Sequence, residues 1–145
     1  MQLVIPAFII HWYISLFSQT FFLHRYSAHK MFVMNKFWEK FFYFLTYLSQ
    51  GSSFLSPRAY AILHRMHHAF SDTKKDPHSP MFSSNVFMMM WKTKDIYNAV
   101  LNRKSNVEER FEHDYPVSKM IEKIGDSWIS RLGWGVAYAS FYIFA

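Results

Sequence analysis

Polar and apolar positions divide this chain into three blocks. Residues 1–23 contain no Asp, Glu, Lys or Arg, and neither do residues 132–145. All 16 Lys/Arg and all 10 Asp/Glu lie between His24 and Arg131. From Leu3 to Leu23 runs a 21-residue stretch whose clearly polar positions are only His11, Ser15, Ser18, Gln19 and Thr20. A helix of about 20 apolar residues crosses a bilayer, so residues 3–23 predict a membrane helix. Pro6 sits near its start, where a helix tolerates proline. A cleaved signal would need a basic n-region and a small-residue cleavage site. The sequence has neither, and the helix is read as retained. The closing run, Leu132 to Ala145, is charge-free but only 14 residues long. It predicts the start of a further membrane helix and a truncated chain.

The middle block, residues 24–131, predicts a polar cap. Phe37, Phe41, Phe44, Leu45 and Leu48 recur at helical spacing, and Gln50-Gly51-Ser52-Ser53 breaks the run. By length alone, a helix near 37–55 fits either a short span or a segment lying in the membrane interface. Ser56-Pro57 marks a turn, and Arg58 to Phe70 reads as helix. Ser71 to Pro80 is a polar loop with two prolines, and Met88-Met89-Met90-Trp91 opens another helix. Asn102 to Asp126 reads as a charged surface connection plus a helix. The expected fold class is therefore all-α, with integral membrane helices carrying a helical cap.

Composition supports the division. Aromatic residues make up 21% of the 145, more than a water-soluble domain of this size ordinarily needs, and the net charge is +6. The mean hydropathy of −0.06 averages two unlike kinds of segment. The positive-inside rule places the basic cap in the cytosol. Basic charge also suits nucleic acid, but the cations here alternate with acids in runs no longer than two. That pattern argues against nucleic acid as a partner. There is no cysteine, which removes disulfides and thiolate metal sites.

Any metal must then be held by nitrogen or oxygen, and the sequence has 8 histidines. Two of them, His24 and His29, form an H-x4-H box. His64, His67 and His68 form an H-x2-H-H box. Positions i, i+3 and i+4 share one helix face, so the second box can present three imidazoles to one small volume. His24 and His29 diverge by about 140° on an ideal α-helix; they suit a helix end or two metals approached from different directions. A lone histidine such as His11 reads as a hydrogen-bonded structural residue, and His113 as a solvated side chain. Five clustered imidazoles near a membrane boundary are costly to bury without partners, and coordination supplies partners. Imidazole suits Zn, Cu, Fe and Ni, so spacing does not choose the metal. If both boxes serve one centre they lie on one side of the membrane. A single crossing between them would separate them by about 30 Å. The aromatic segment between them is thus expected to lie in the interface, fold back or pack inside the cap.

His24-Arg25-Tyr26-Ser27-Ala28-His29, followed by HRMHHAFSDTKKDPHSP from His64, resembles the membrane fatty acid desaturases, particularly the delta-9 (stearoyl-CoA-desaturase-like) branch and its bacterial relatives. The resemblance covers nearly the whole chain. It implies a cis double bond introduced into a fatty acyl chain with O2, and a centre of two iron ions. It also implies electrons from a carrier such as cytochrome b5 or ferredoxin, and a bacterial inner-membrane location with the boxes facing the cytosol. Carried over, the iron ligands are His24, His29, His64, His67 and His68. Asp72 and Asp76 are expected to accept from a ligand's non-coordinating ring N–H, or to cap the helix-to-loop junction. His78 is either a neighbour of the ligands or a loop residue.

Two departures matter. The family's third box, H-x2-H-H, is missing from these 145 residues, so the chain alone is expected to be inactive. Animal acyl-CoA members commonly place Arg-Asp before the second box, where this sequence has Ile62-Leu63; this leaves acyl-CoA, acyl-lipid and acyl-carrier-protein substrates open. Arg58, Lys74 and Lys75 are candidate contacts for an anionic headgroup, or ordinary surface charges. Phe41–Leu48 and Phe87–Trp91 are candidates for an acyl tunnel or for helix packing. The rival readings are a di-iron lipid hydroxylase and a non-catalytic membrane metal-binding fragment.

Overall fold

The computed structural model describes residues 3–145, and every regular element among the described residues is helical. Helix α1 starts at Val4, runs as α-helix to Phe17 and continues as a π-helical segment, Ser18–Ala28. There follow α2 (Lys36–Gln50), α3 (Pro57–Phe70), α4 (Val86–Leu101), α5 (Lys119–Gly125) and α6 (Trp128–Phe144). Val4–Ala28 is the one helix among the described residues that is long and apolar enough to cross a membrane. His24 therefore sits inside the helix rather than beyond it.

The starts of these helices are written in the sequence. Asn35, Asn85 and Ser127 precede α2, α4 and α6, and each accepts from a backbone N–H one turn in: Trp38, Met88 and Ser130. Ser56 caps α3 with Pro57 in the first turn, where its missing N–H is no loss. Each such cap stabilises by about 1 kcal/mol.

Helix α2 folds back along α1. Near its start, the Tyr26 hydroxyl bonds Glu39, and Phe32 just before it stacks on Phe21 at 4.9 Å. Phe42 lies 5.0 Å from Phe21 and 6.3 Å from Phe17. At its far end Ser49 donates to Ser18, and its carbonyl accepts from His11 at 2.8 Å. Gly51 then reverses the chain at φ 52°. A side chain there would also collide with the Tyr138 hydroxyl. Helix α3 returns alongside the π-helical segment. Both boxes consequently end at the same end of α1.

Two apolar clusters hold this hairpin. Phe22, Leu23, Tyr26, Tyr43, Phe54 and Ile121 form one, joining α1, α2 and α5. Ala59, Ile62, Leu63, Val100 and Phe111 form the other, joining α3 to α4. Full burial of a side chain such as Phe22 or Phe54 stabilises by roughly 1.5–3 kcal/mol. Elsewhere the ordinary pattern is inverted. Helix α2 buries Tyr43, Thr46, Ser49 and Gln50 and exposes Phe37, Trp38, Phe41, Phe44 and Leu48. The α-helical part of α1 and all of α6 bury no residue. Their large apolar side chains face outward.

Candidate metal centre

The π-helical segment changes the geometry of the first box. Its i→i+5 register stacks His29 one turn beyond His24, with the His29 N–H donating to the His24 carbonyl at 3.0 Å. The two rings, which an α-helix would splay apart, lie 4.5 Å apart between centroids. Helix α3 brings His64 against both, at 4.6 Å from His24 and 4.8 Å from His29. His68, one turn after His64, closes the group at 4.6 Å from His64 and 5.0 Å from His29.

Nitrogen positions test whether this group fits a metal. One donor atom each from His24, His29 and His64 lies within 4.8 Å of the others. The Nε2 of His64 is 2.9 Å from that of His29 and 3.0 Å from that of His68. Two ligands about 2.1 Å from one ion, at right angles, stand about 3.0 Å apart. The His64–His29 and His64–His68 spacings therefore fit ligands of one cation, with His24 beside them. They fit hydrogen bonding less well, because a neutral imidazole has one N–H and His64 Nε2 faces two other nitrogens. Burial, then the neighbouring imidazoles of His24, His68, His29 and His67, push His64 down to about 4. Burial, then His24, His68 and Arg65, also lower His29. At neutral pH both rings are unprotonated and present lone pairs.

His67 takes a different course. Its Nδ1 lies 2.9 Å from Oδ1 of Asp76, a carboxylate fully withdrawn from solvent. Asp76 also accepts from the backbone N–H groups of His78, at 2.8 Å, and Asp72, at 3.1 Å. Burial alone would raise its pKa, but the bonds from His67, His78 and Asp72 outweigh that and hold it below the ordinary carboxylate range. The Nδ1–H of His67 is thereby fixed, and Nε2 carries the free lone pair. Helix geometry explains the split: His64 and His68 differ by about 40° around α3, whereas His67 and His68 differ by about 100°.

Of the remaining candidates, Asp72 contributes its backbone N–H, at φ 58°, while its side chain is exposed. His78 turns its Nδ1 to Thr93, 3.1 Å away, with its ring edge-on to His67 at 6.2 Å. Arg58 is buried and donates to the carbonyls of Val100 and Leu101 at the end of α4. Lys74 and Lys75 are exposed. His11 bonds Ser49 and lies near Tyr138, and exposed His113 pairs with Asp114.

A cavity of about 500 Å³ opens beside His64 and His67, walled by Tyr60, Leu63, Pro77, Met90 and Tyr97 among others. Met90 is the residue of Phe87–Trp91 that reaches it. Phe41, Phe44 and Leu48 point outward elsewhere. Sequence reading missed Tyr60, whose ring stacks on His64 at 8° and 5.7 Å. It also missed Arg65, which bonds four backbone carbonyls. Tyr60 lies four residues before His64, so helical spacing was the signal available for it.

A family model described as fatty acid desaturase matches residues 2–143. The chain is 40% identical over 65 residues to the Delta-9 desaturase-like 5 protein of Arabidopsis thaliana, covering 44% of this chain and 20% of that protein. It is 32% identical over 91 residues to the Delta-9 acyl-lipid desaturase 2 of the same plant, covering 59% of this chain and 27% of that protein. A third relative, the Delta-9 desaturase-like 1 protein, is 39% identical over 74 residues, 48% of this chain and 23% of that one. The chain thus spans about a fifth to a quarter of the length of these relatives. No solved structure matches it. The match over nearly the whole chain, on residues that include both histidine boxes, places it in the fatty acid desaturase family.

Proposed function

We propose that this chain is the two-box part of an O2-dependent fatty acyl desaturase that introduces a cis double bond, at the delta-9 position, in a membrane. The observation that carries the reading is the convergence of four imidazoles from two segments, with a fifth directed aside by a buried carboxylate. His24, His29, His64 and His68 would hold one iron. His67, oriented by Asp76, would contribute to a second. Iron with O2 supplies the oxidant that an unactivated methylene demands, since its hydrogen is beyond acid–base side chains.

The protein's own groups bind and orient. Tyr60 stacks against His64 and limits its rotation. The cavity beside His64 and His67 offers an apolar wall to an acyl chain, with Thr93 and Lys94 among its polar lining residues. Ile62 and Leu63, which stand where acyl-CoA members carry Arg-Asp, are buried in the α3–α4 cluster. That placement favours an acyl-lipid over an acyl-CoA, in keeping with the name of one relative. Electrons would come from an external carrier such as cytochrome b5 or ferredoxin. The basic middle block supports boxes that face the cytosol, and the location inferred is a bacterial inner membrane.

The test replaces the matching segment of a delta-9 acyl-lipid desaturase with this chain, in a host deficient in unsaturated fatty acids. New cis monoenes, lost on His64→Ala, are the expected products. A hydroxylated acyl chain would transfer the reading to a lipid hydroxylase. A purified chain that takes up one zinc and no iron, with no product in the host, would make it a metal-binding fragment.

A further inference from the structure

Arg65 lies inside the second box, yet its side chain reaches away from the imidazoles. Its Nε donates to the carbonyl of Ala28 at 2.9 Å and its Nη2 to that of Ser27 at 3.0 Å. Its Nη1 donates to the carbonyls of Phe111 and His113, at 3.1 and 2.5 Å, in the turn after α4. Ser27 and Ala28 end the π-helical segment, where carbonyls lack a following helical N–H and carry the negative end of the helix dipole. A guanidinium answers both needs, offering five donors in a rigid planar fork.

The placement of this bond matters more than its strength. Ala28 precedes His29, and Arg65 follows His64. The Arg65–Ala28 bond is therefore the immediate neighbour, on both strands of chain, of the 2.9 Å approach between His29 and His64. The two boxes are 35 residues apart in sequence, and Arg65 is the residue of α3 whose side chain is bonded to the first box's backbone. We propose that Arg65 is a positioning residue that sets the separation of the two histidine boxes. Its consequence for metal binding rests on the reading given above; its effect on the boxes' spacing does not.

The chain has no cysteine, so a pair of introduced cysteines reports that spacing directly. Val33→Cys and Ala69→Cys fall on exposed positions, one after each box. Spin labels there, on the full chain in detergent without metal, give an inter-box distance distribution. A narrow distribution is expected for the parent and a broadened one for Arg65→Ala. Arg58→Ala, which removes a guanidinium bonded to carbonyls away from the boxes, should leave it narrow. Arg65→Lys keeps the charge but not the fork and should also broaden it. If Arg65→Ala loses its helical circular dichroism, Arg65→Lys decides. An unbroadened distribution in whichever Arg65 variant folds overturns the proposal.

A second arm titrates the parent chain and the Arg65 and Arg58 variants, without the introduced cysteines, with Co(II). Arg65→Ala and Arg65→Lys should shift the ligand-field absorption and weaken binding about 10- to 100-fold, the range seen when groups that orient metal ligands are removed. Arg58→Ala should do neither. Wild-type spectra and affinities in both Arg65 variants overturn the proposal. If the parent chain itself binds no cobalt, the metal reading fails, and the distance distributions still decide the role of Arg65.

Discussion

Replacing Asp76 by Asn removes one charge and exchanges one oxygen for an amide at a site closed to solvent. Three donors converge on that carboxylate: His67 Nδ1, the His78 N–H and the Asp72 N–H. Hydrogen bonds to a charged group are worth about 1.5–3 kcal/mol, and bonds to a neutral one about half that. If Asn keeps its oxygen toward His67 and His78, those two bonds each weaken by about 1 kcal/mol. The amide then faces the Asp72 N–H, and that donor loses its acceptor at a cost of about 1–3 kcal/mol. The sum is about 3–5 kcal/mol, large against a typical point mutation. Urea unfolding in mild detergent, followed by circular dichroism, measures it at pH 7. The carboxyl lies below its ordinary range in the folded chain, so its contribution is present above about pH 4 and lost as pH falls through its folded value. The gap between Asp76→Asn and the parent should therefore close in acid. Asp72→Asn, a nearby change of the same charge on an exposed side chain in a conformation Asn tolerates, should stay within about 0.5 kcal/mol of the parent. An Asp76→Asn variant as stable as Asp72→Asn would refute the reasoning.

Gly51→Ala forces a side chain into φ 52° and against the Tyr138 hydroxyl, with a backbone penalty of about 1–3 kcal/mol. A Tyr138→Ala partner should recover the steric part and leave that backbone part, which a double-mutant cycle of unfolding free energies separates. Burial raises the Asp126 carboxyl to about 6 despite Arg131 beside it. The folded chain then holds a proton the unfolded chain releases, so stability falls as pH rises from about 4 to 6 and is flat above. Asp126→Asn should flatten that slope and gain up to about 3 kcal/mol at pH 8; an unchanged pH profile would show that Asp126 titrates normally.

Much of the helical architecture was legible because its signals are local. Ser56-Pro57 marked the start of α3, and the structure shows Asn35, Asn85 and Ser127 capping other helices by the same chemistry, which needs no distant partner. Charge-free ends and a charged middle can be read residue by residue, and the match to the family covers them both. The histidines named themselves through two short spacings.

What the spacings left open was which imidazoles meet. H-x2-H-H says that three rings share a face, yet only His64 and His68 join His24 and His29, while His67 pairs with Asp76. That choice belongs to the loop after α3, which packs Asp76 under one flank of the helix. H-x4-H on an α-helix predicts divergence; the π-helical register removes it, and no residue type announces that register. Gln50-Gly51-Ser52-Ser53 read as a break, but the direction taken after it, back toward the first box, depends on Gly51 meeting Trp134 and Tyr138 from α6, more than 80 residues on. Arg65 read as one cation among 16 Lys/Arg. Its partners are backbone carbonyls, which every sequence has and no sequence pattern distinguishes. The sequence by itself determined which imidazoles are available and much of the helical pattern, because both depend on neighbours along the chain. The spacing of the boxes and the separate path of His67 were decided by contacts between distant segments, which only the folded chain brings together.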